Sequence, residues 1–189
     1  SDAPNYMTQA LQHIGGDNSL TGNRMFCRFD YMVHRRNNYM TSSRMTSTRT
    51  VGNEAGNGDG EFNYYASNGV NYLFVTGHEY DAISIDINNR QYPSITAEQD
   101  NAPLPIPDWG EGGNNGNCFA GGVSDSLYGT CGMILDRRGL QAHKAWFYFD
   151  EEFVCLGAGI CNAKGKAEVF TISTNETATE GTVHDKWEK

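Results

Sequence analysis

Residues 127–160 decide the fold class, and they read LYGTCGMILDRRGLQAHKAWFYFDEEFVCLGAGI. Three apolar and aromatic runs lie within this stretch, at 127–135, 143–149 and 153–160, and an acidic turn at 150–152 separates the last two. Short apolar runs that are bounded by turn residues are typical of β-strands. The stretch therefore predicts three strands of an antiparallel sheet.

Strand signals also dominate before and after this stretch. Apolar residues alternate along 29–33, and residues 39–51 are rich in Thr and Ser, which favour extended chain. Asn68-Gly69 lies between two aromatic or aliphatic runs, at 64–65 and 70–75, which predicts a β-hairpin. We expect a further strand at 168–174, so the pattern as a whole predicts an all-β antiparallel sandwich.

A short helix is predicted at residues 3–14, because a proline stands near its start and a glycine pair follows its end. The rest of the chain shows no internal repeat and no low-complexity domain linker. We therefore expect three segments: an N-terminal helix and linker (1–24), a β-sandwich domain (25–174) and a polar tail (175–189).

Composition excludes several classes of protein. Among 189 residues, 38% are hydrophobic and 12% aromatic, which is too many for a disordered chain, and no apolar run is long enough to span a membrane. The net charge of −9 argues against nucleic acid as a partner.

The chain opens without a signal peptide, which suggests a mature protein or part of a longer one. The five cysteines have no metal-binding spacing, so we expect no metal, and we expect no cofactor. Cys27, Cys131 and Cys155 lie in apolar strand-like runs, so we expect mostly reduced thiols, with one disulfide possible.

Two clusters are candidate sites. A glycine-rich turn at 53–61 carries Glu54 and Asn57, a carboxylate and an amide that can point into one pocket, although an acidic surface turn is the alternative. The first fifty residues hold six arginines against three aspartates, enough to line a cleft for an anion or simply to decorate strand surfaces. The candidate anion-binding residues are Arg44, Arg49, His34 and Arg35.

Two further motifs are ambiguous. The segment AGGVSD at 120–125 is neither a nucleophile elbow nor a phosphate loop, and it is typical of a glycine-bent strand. The alternating aromatic segment HKAWFYF at 143–149 offers either a sugar-stacking platform or a strand that packs one face into the core.

Six short segments occur in a fixed order along most of the chain. They are DYMVHR at 30–35, RMTSTRT at 44–50, Glu54-x-x-Asn57, FAGGVS at 119–124 followed by Tyr128-Gly129, KAWF at 144–147 and LGAGI at 156–160. Together they resemble the polysaccharide lyases of family 8, which cleave hyaluronate, chondroitin sulfates or xanthan.

The resemblance implies a large enzyme in which an α/α toroid precedes a galactose-mutarotase-like β-sandwich, and this chain resembles the first part of the β region. Such enzymes cleave by β-elimination: a Tyr removes the proton α to the uronate carboxylate and protonates the leaving oxygen, while an Asn and a His neutralise the carboxylate. Those residues lie in the toroid and have no match here. Glu54 and Asn57 match the family's E-x-x-N pair, which supports the catalytic arginine and tyrosine across the cleft and contacts the substrate.

The sequence departs from the family pattern just after this pair. Asp59-Gly60 stands where the family has a second Glu and Asn, and YPSIT at 92–96 stands where it has a P-G-T-T loop.

We expect this chain to form one wall of the substrate cleft in a secreted or periplasmic lyase, with an anionic polysaccharide as partner. We expect the chain to be inactive without the toroid. The alternatives are a non-catalytic carbohydrate-binding β-sandwich and a structural or surface-interaction domain.

Overall fold

The structure is a computed structural model that describes residues 20–80, 89–106, 115–163 and 168–171. Within these ranges the chain forms ten β-strands and no helix, and no helix there is long and apolar enough to cross a membrane. The helix predicted at 3–14 and the tail predicted at 175–189 lie outside the described residues. The strands are β1 (Gly22–Phe26), β2 (Tyr31–Arg35), β3 (Met40–Arg44), β4 (Asn71–Phe74), β5 (Thr96–Gln99), β6 (Ala120–Ser124), β7 (Gly129–Arg137), β8 (Leu140–Tyr148), β9 (Phe153–Asn162) and β10 (Glu168–Thr171).

The strands form two four-stranded antiparallel sheets and one smaller pair. The first sheet has the order β1-β2-β3-β4, the second has the order β6-β7-β8-β9, and β5 pairs with β10. Every pairing is antiparallel, so the prediction of an all-β antiparallel fold is confirmed. The first strand begins at Gly22, three residues before the predicted start of the sandwich at 25.

The stretch that suggested the fold forms the longest strands of the second sheet. Arg138 and Gly139 have φ of 55° and 97°, so they make the two-residue turn that joins β7 to β8 with Arg137 opposite Leu140. Positive φ at both central positions is the mark of a type I′ hairpin turn, whose twist matches that of the strands. Burial alternates along β7 and β8, so one face of this sheet points into the core.

The core lies between the inner faces of the two large sheets. Trp146 and Tyr148 of β8 are fully buried, as is Met32 of β2. The Tyr148 ring stacks on His34 with 5.2 Å between ring centroids, and the Tyr148 hydroxyl and Ser43 Oγ are 2.5 Å apart. Because β8 thereby contacts both β2 and β3, the two sheets pack face to face as a sandwich.

The hairpin predicted around Asn68-Gly69 is wrong. Residues 61–69 form turns, and β4 pairs with β3 instead of with a strand at 64–65. Tyr64 and Tyr65 are both buried, with their rings edge to face and 4.8 Å between centroids. Adjacent residues of a strand point to opposite faces, so two neighbouring tyrosines that both enter the core are better served by a turn.

Candidate functional site

The predicted site turn is a tight two-residue hairpin. The Gly56 amide donates to the Asp59 carbonyl at 3.0 Å, and the Asp59 amide donates to the Gly56 carbonyl at 2.9 Å. Asn57 and Gly58, at the tip, have φ of 55° and 84°. Asparagine and glycine adopt positive φ at the lowest cost, which explains why this sequence turns here and presents the Asn57 side chain to solvent.

The backbone at Gly60 packs closely against the backbone of Glu54. Gly60 has φ of 79°, and a Cβ at this position would overlap the carbonyl oxygen of Glu54. Ala55 is buried, whereas the Glu54 side chain is exposed. The backbone of Glu54 is therefore held in place while its carboxylate stays accessible, so the structure brings Glu54 and Asn57 together on one exposed turn.

A buried arginine supports this turn from beneath. Arg137 is 2% exposed, and its Nη2 donates to Asn53 Oδ1 at 2.9 Å. Its Nη1 donates to the Tyr64 carbonyl and, at 3.0 Å, to Asn68 Oδ1, while the guanidinium lies 4.1 Å from the centroid of the Tyr64 ring. Burial lowers the pKa of Arg137 from its usual value. Arg137 is not among the predicted site residues, although its even spacing from the apolar residues 131, 133 and 135 places it on the same inward face.

Arginines line a pocket of about 640 Å³ beside the first sheet. It is lined by Arg28, Phe29, Tyr31, Arg44, Arg49, Thr50 and Val51. Phe29 is 72% exposed, and Arg44 Nη2 donates to the Gly52 carbonyl at 3.3 Å. Two of the predicted anion-binding residues, Arg44 and Arg49, thus share one pocket with an exposed aromatic ring.

Asp30 orders the chain on which these arginines lie. It is fully buried and accepts hydrogen bonds from Ser47 Oγ at 2.5 Å, Thr50 Oγ1 at 2.9 Å and Arg49 Nη2 at 2.6 Å. Arg49 also donates to the carbonyls of Cys118 and Ala120, at 2.9 and 2.8 Å. Arg49 therefore joins the loop after β3 to the start of β6, besides facing the pocket.

The other two predicted anion-binding residues, His34 and Arg35, are not brought together in one site. His34 is fully buried: its Nε2–H donates to the Phe149 carbonyl at 2.8 Å, and its Nδ1 lies 3.3 Å from Asn23 Nδ2. Burial lowers the pKa of His34, so the ring stays neutral at neutral pH. Arg36 pairs with Asp150 at 3.1 Å, while Arg35 is half-buried on the opposite face of β2 from His34. The geometry leaves His34 with no exposed atom for a substrate, and its contacts join β2 to the end of β8.

The aromatic segment of β8 packs mainly into the core. Trp146 and Tyr148 are fully buried, and Lys144 points inward, where its Nζ donates to the carbonyls of Ser94 and Asn68. The outer face of the same sheet is a different surface: a groove of about 850 Å³ with exposed Phe119 and Leu156 beside the glycines of β6. The sugar-stacking alternative therefore finds no support in Trp146 or Tyr148.

The described ranges contain no group of three or more His, Cys, Asp or Glu side chains that could hold a metal ion. Among the described residues, the predicted site groups that share one place are the exposed carboxylate and amide of one turn and the guanidinium groups of one pocket.

Comparison with known proteins identifies a family. The model of "polysaccharide lyase family 8, super-sandwich domain" matches residues 21–188. Chondroitinase-AC of Pedobacter heparinus is 40% identical over 159 residues, which is 84% of this chain and 22% of the relative. Hyaluronate lyase of Thermasporomyces composti is 31% identical over 170 residues, which is 86% of this chain and 21% of the relative. This chain thus spans about a fifth of the length of these two relatives.

Solved structures agree with the sequence comparison. A chondroitinase AC lyase, solved as enzyme–oligosaccharide complexes, superposes with a TM-score of 0.75 at 39% identity, over 80% of this chain and 22% of that one. A Paenibacillus xanthan lyase superposes with a TM-score of 0.71 at 25% identity, over 89% of this chain and 16% of that one. Family model, relatives and fold concur, and the chain belongs to polysaccharide lyase family 8.

Proposed function

We propose that this chain forms one wall of the substrate cleft of a polysaccharide lyase that cleaves a uronic-acid-containing polysaccharide by β-elimination. The observation that carries the proposal is the turn of Glu54 and Asn57, whose side chains are exposed while its backbone is packed against Gly60. Membership of the family and the names of the relatives, a chondroitinase and a hyaluronate lyase, support an anionic polysaccharide as substrate. We place the enzyme in a secreted or periplasmic location, where it would meet a polymeric substrate.

The chemistry defines what the turn contributes. A β-elimination removes the proton α to a carboxylate, which requires that the carboxylate charge be neutralised as negative charge develops on the sugar. The Asn57 amide can donate a hydrogen bond to the sugar, and the Glu54 carboxylate can accept one from a guanidinium or a sugar hydroxyl. The proton-transferring Tyr and its partners belong to an N-terminal α/α toroid, which the family resemblance implies, so the turn orients groups that it faces across the cleft.

The arginine pocket supplies a second element of the same wall. Guanidinium groups bind carboxylates and sulfates in bidentate geometry, and an exposed aromatic ring offers a stacking surface for a sugar. Arg28 and Phe29 lie beside Arg44 and Arg49 around one cavity, so we place an acidic sugar unit there. The same pocket favours the second candidate function, a non-catalytic domain that binds acidic glycans.

The test uses the full-length enzyme with a carboxylate-to-amide change at Glu54 and removal of the amide side chain at Asn57. Glu54→Gln and Asn57→Gly should each lower the rate of unsaturated-product formation, followed by ultraviolet absorbance, by about 100-fold or more, since each factor of ten corresponds to ~1.4 kcal/mol of barrier. Glycine is used at 57 because it keeps the positive φ. Asp59→Asn is the matched control, because it lies exposed in the same turn, and it should leave the rate within about twofold.

If both Glu54→Gln and Asn57→Gly form the unsaturated product at the wild-type rate and keep wild-type melting curves, the catalytic proposal is overturned. In that case binding of an acidic oligosaccharide that is weakened by Arg28→Ala would support the binding domain instead.

A further inference from the structure

We propose that Arg137 is the positioning residue of the candidate site: its guanidinium clamps both ends of the loop 53–64 and so fixes where the Glu54–Asn57 turn stands. The inference rests on the proposed function, because the placement of the turn matters for catalysis only if the turn takes part in it. Arg137 itself is buried, so its effect on a substrate passes through the loop.

The clamp consists of one planar group with acceptors at both ends of the loop. Asn53 Oδ1, which accepts from Nη2 at 2.9 Å, belongs to the residue immediately before Glu54. The Tyr64 carbonyl, which accepts from Nη1, closes the loop at its other end, and the Tyr64 ring lies against the guanidinium. Arg137 is the last residue of β7, an inner strand of the second sheet, so the clamp is anchored at the end of that strand beside the turn to β8.

The electrostatics are unusual for a purely structural arginine. Among the described residues no carboxylate forms an ion pair with Arg137, and its acceptors are neutral. A buried charge without a counter-charge is costly, whereas a well-packed apolar residue there is often as stable or more stable. The fork of an arginine, in contrast to an apolar side chain, fixes several acceptors in defined directions. A turn that positions groups for catalysis requires that its backbone and side chains be held in such defined directions.

Asn53 points to the same role. It is 5% exposed, and its Nδ2 has no hydrogen-bond partner among the described atoms, so only its acceptor oxygen is used. An alanine at this position removes an unsatisfied buried donor but leaves Arg137 Nη2 without its acceptor, so we expect Asn53→Ala to lower the melting temperature. The variant releases one end of the clamp while Arg137 stays in place, and its melting curve shows whether the sandwich is folded.

The experiment measures kcat and KM in the full-length lyase. Asn53→Ala and Arg137→Met should lower kcat by about 100-fold with KM within about threefold, because misplaced groups lose rate more than binding. Arg137→Lys should lie between wild type and Arg137→Met. The double variant Asn53→Ala/Arg137→Met should be no slower than Arg137→Met, because both changes break the same contact. Asn68→Ala, which removes the one Arg137 acceptor that lies beyond the loop, should lower the melting temperature yet keep kcat within about threefold.

Folded Asn53→Ala and Arg137→Met enzymes with wild-type kcat would overturn the inference, and Asn53→Ala decides alone if Arg137→Met does not fold. Glu54→Gln, measured alongside, separates this failure from that of the proposed function: a slow Glu54→Gln with a fast Asn53→Ala refutes the clamp only. If Glu54→Gln is fast, hydrogen exchange at the Gly56 and Asp59 amides decides, since the clamp predicts exchange about tenfold faster in Asn53→Ala and no change refutes it.

Discussion

Asp30→Asn is the sharpest test of how the arginine pocket is built. Asp30 has φ of 49°, a backbone conformation that asparagine tolerates, so the substitution introduces no backbone strain. Its backbone carbonyl, which accepts from the Met45 amide at 2.8 Å, is also kept. The change therefore removes only the negative charge and one acceptor oxygen from a fully buried position.

The cost follows from the bonds that are lost. Ser47, Thr50 and Arg49 all donate to the Asp30 carboxylate, and a hydrogen bond to a charged group contributes ~1.5–3 kcal/mol. Asparagine keeps one acceptor oxygen and turns an amide toward the remaining donors, so we expect the free energy of unfolding to fall by about 3 kcal/mol. For a domain of this size each kcal/mol shifts the melting temperature by ~2–4 °C, which gives a decrease of about 6–12 °C.

Thermal unfolding followed by circular dichroism measures this decrease. The matched control is Asp59→Asn, the same chemical change at an exposed turn residue, which should shift the midpoint by about 1 °C or less. A midpoint for Asp30→Asn within about 2 °C of wild type would refute the account of Asp30 as the residue that orders the loop after β3.

Three other predictions concern the turn, the buried lysine and the thiols. Gly60→Ala should lower lyase activity at least about tenfold in the full-length enzyme, because its Cβ meets the Glu54 carbonyl, and unchanged activity would contradict the packing of the turn. Burial lowers the pKa of Lys144 to about 7, so above this pH the unfolded state binds more protons than the folded state. The free energy of unfolding, relative to that of Lys144→Met, should therefore rise by about 1 kcal/mol per pH unit from pH 7 to 9. A difference between the two proteins that stays constant with pH in urea titrations would contradict this. A thiol reagent at pH 8 should quickly modify the exposed cysteines, which are Cys27, Cys118 and Cys161. It should modify Cys131 only on unfolding, because burial raises the pKa of this thiol to about 12. Equal modification rates for all four thiols would contradict the burial of Cys131.

Much of the second sheet could be predicted from the sequence because its strands are local. The three apolar runs correspond to β7, β8 and β9 with shifts of a few residues at their ends, and the acidic turn at 150–152 joins the last two as expected. Hairpin strands that follow one another need only a short turn and an apolar pattern, and both are visible in a single sequence. The turn of Asn57-Gly58 was similarly readable from its two residue types.

The other features depend on contacts between residues far apart in sequence. Tyr64 and Tyr65 suggest a strand because aromatic residues favour strands, but both rings are buried and the segment forms turns. The sequence predicts His34 as an anion-binding residue beside Arg35, yet it is buried and donates to the carbonyl of Phe149, more than a hundred residues away. Arg137 differs from its neighbour Arg138 only by its even spacing from the apolar residues 131, 133 and 135, which indicates an inward position but not the distant acceptors that the guanidinium binds.

The most direct test of the central claim is a crystal structure of the full-length enzyme with a bound uronic-acid oligosaccharide. The account predicts that the Asn57 side chain lies within hydrogen-bond distance, about 3.5 Å or less, of a sugar oxygen, with the Glu54 carboxylate facing the groups that transfer the proton. An oligosaccharide bound at the proposed proton-transferring tyrosine, with every sugar atom more than about 8 Å from the turn at 56–59 and so too far even for a water-mediated contact, would contradict it.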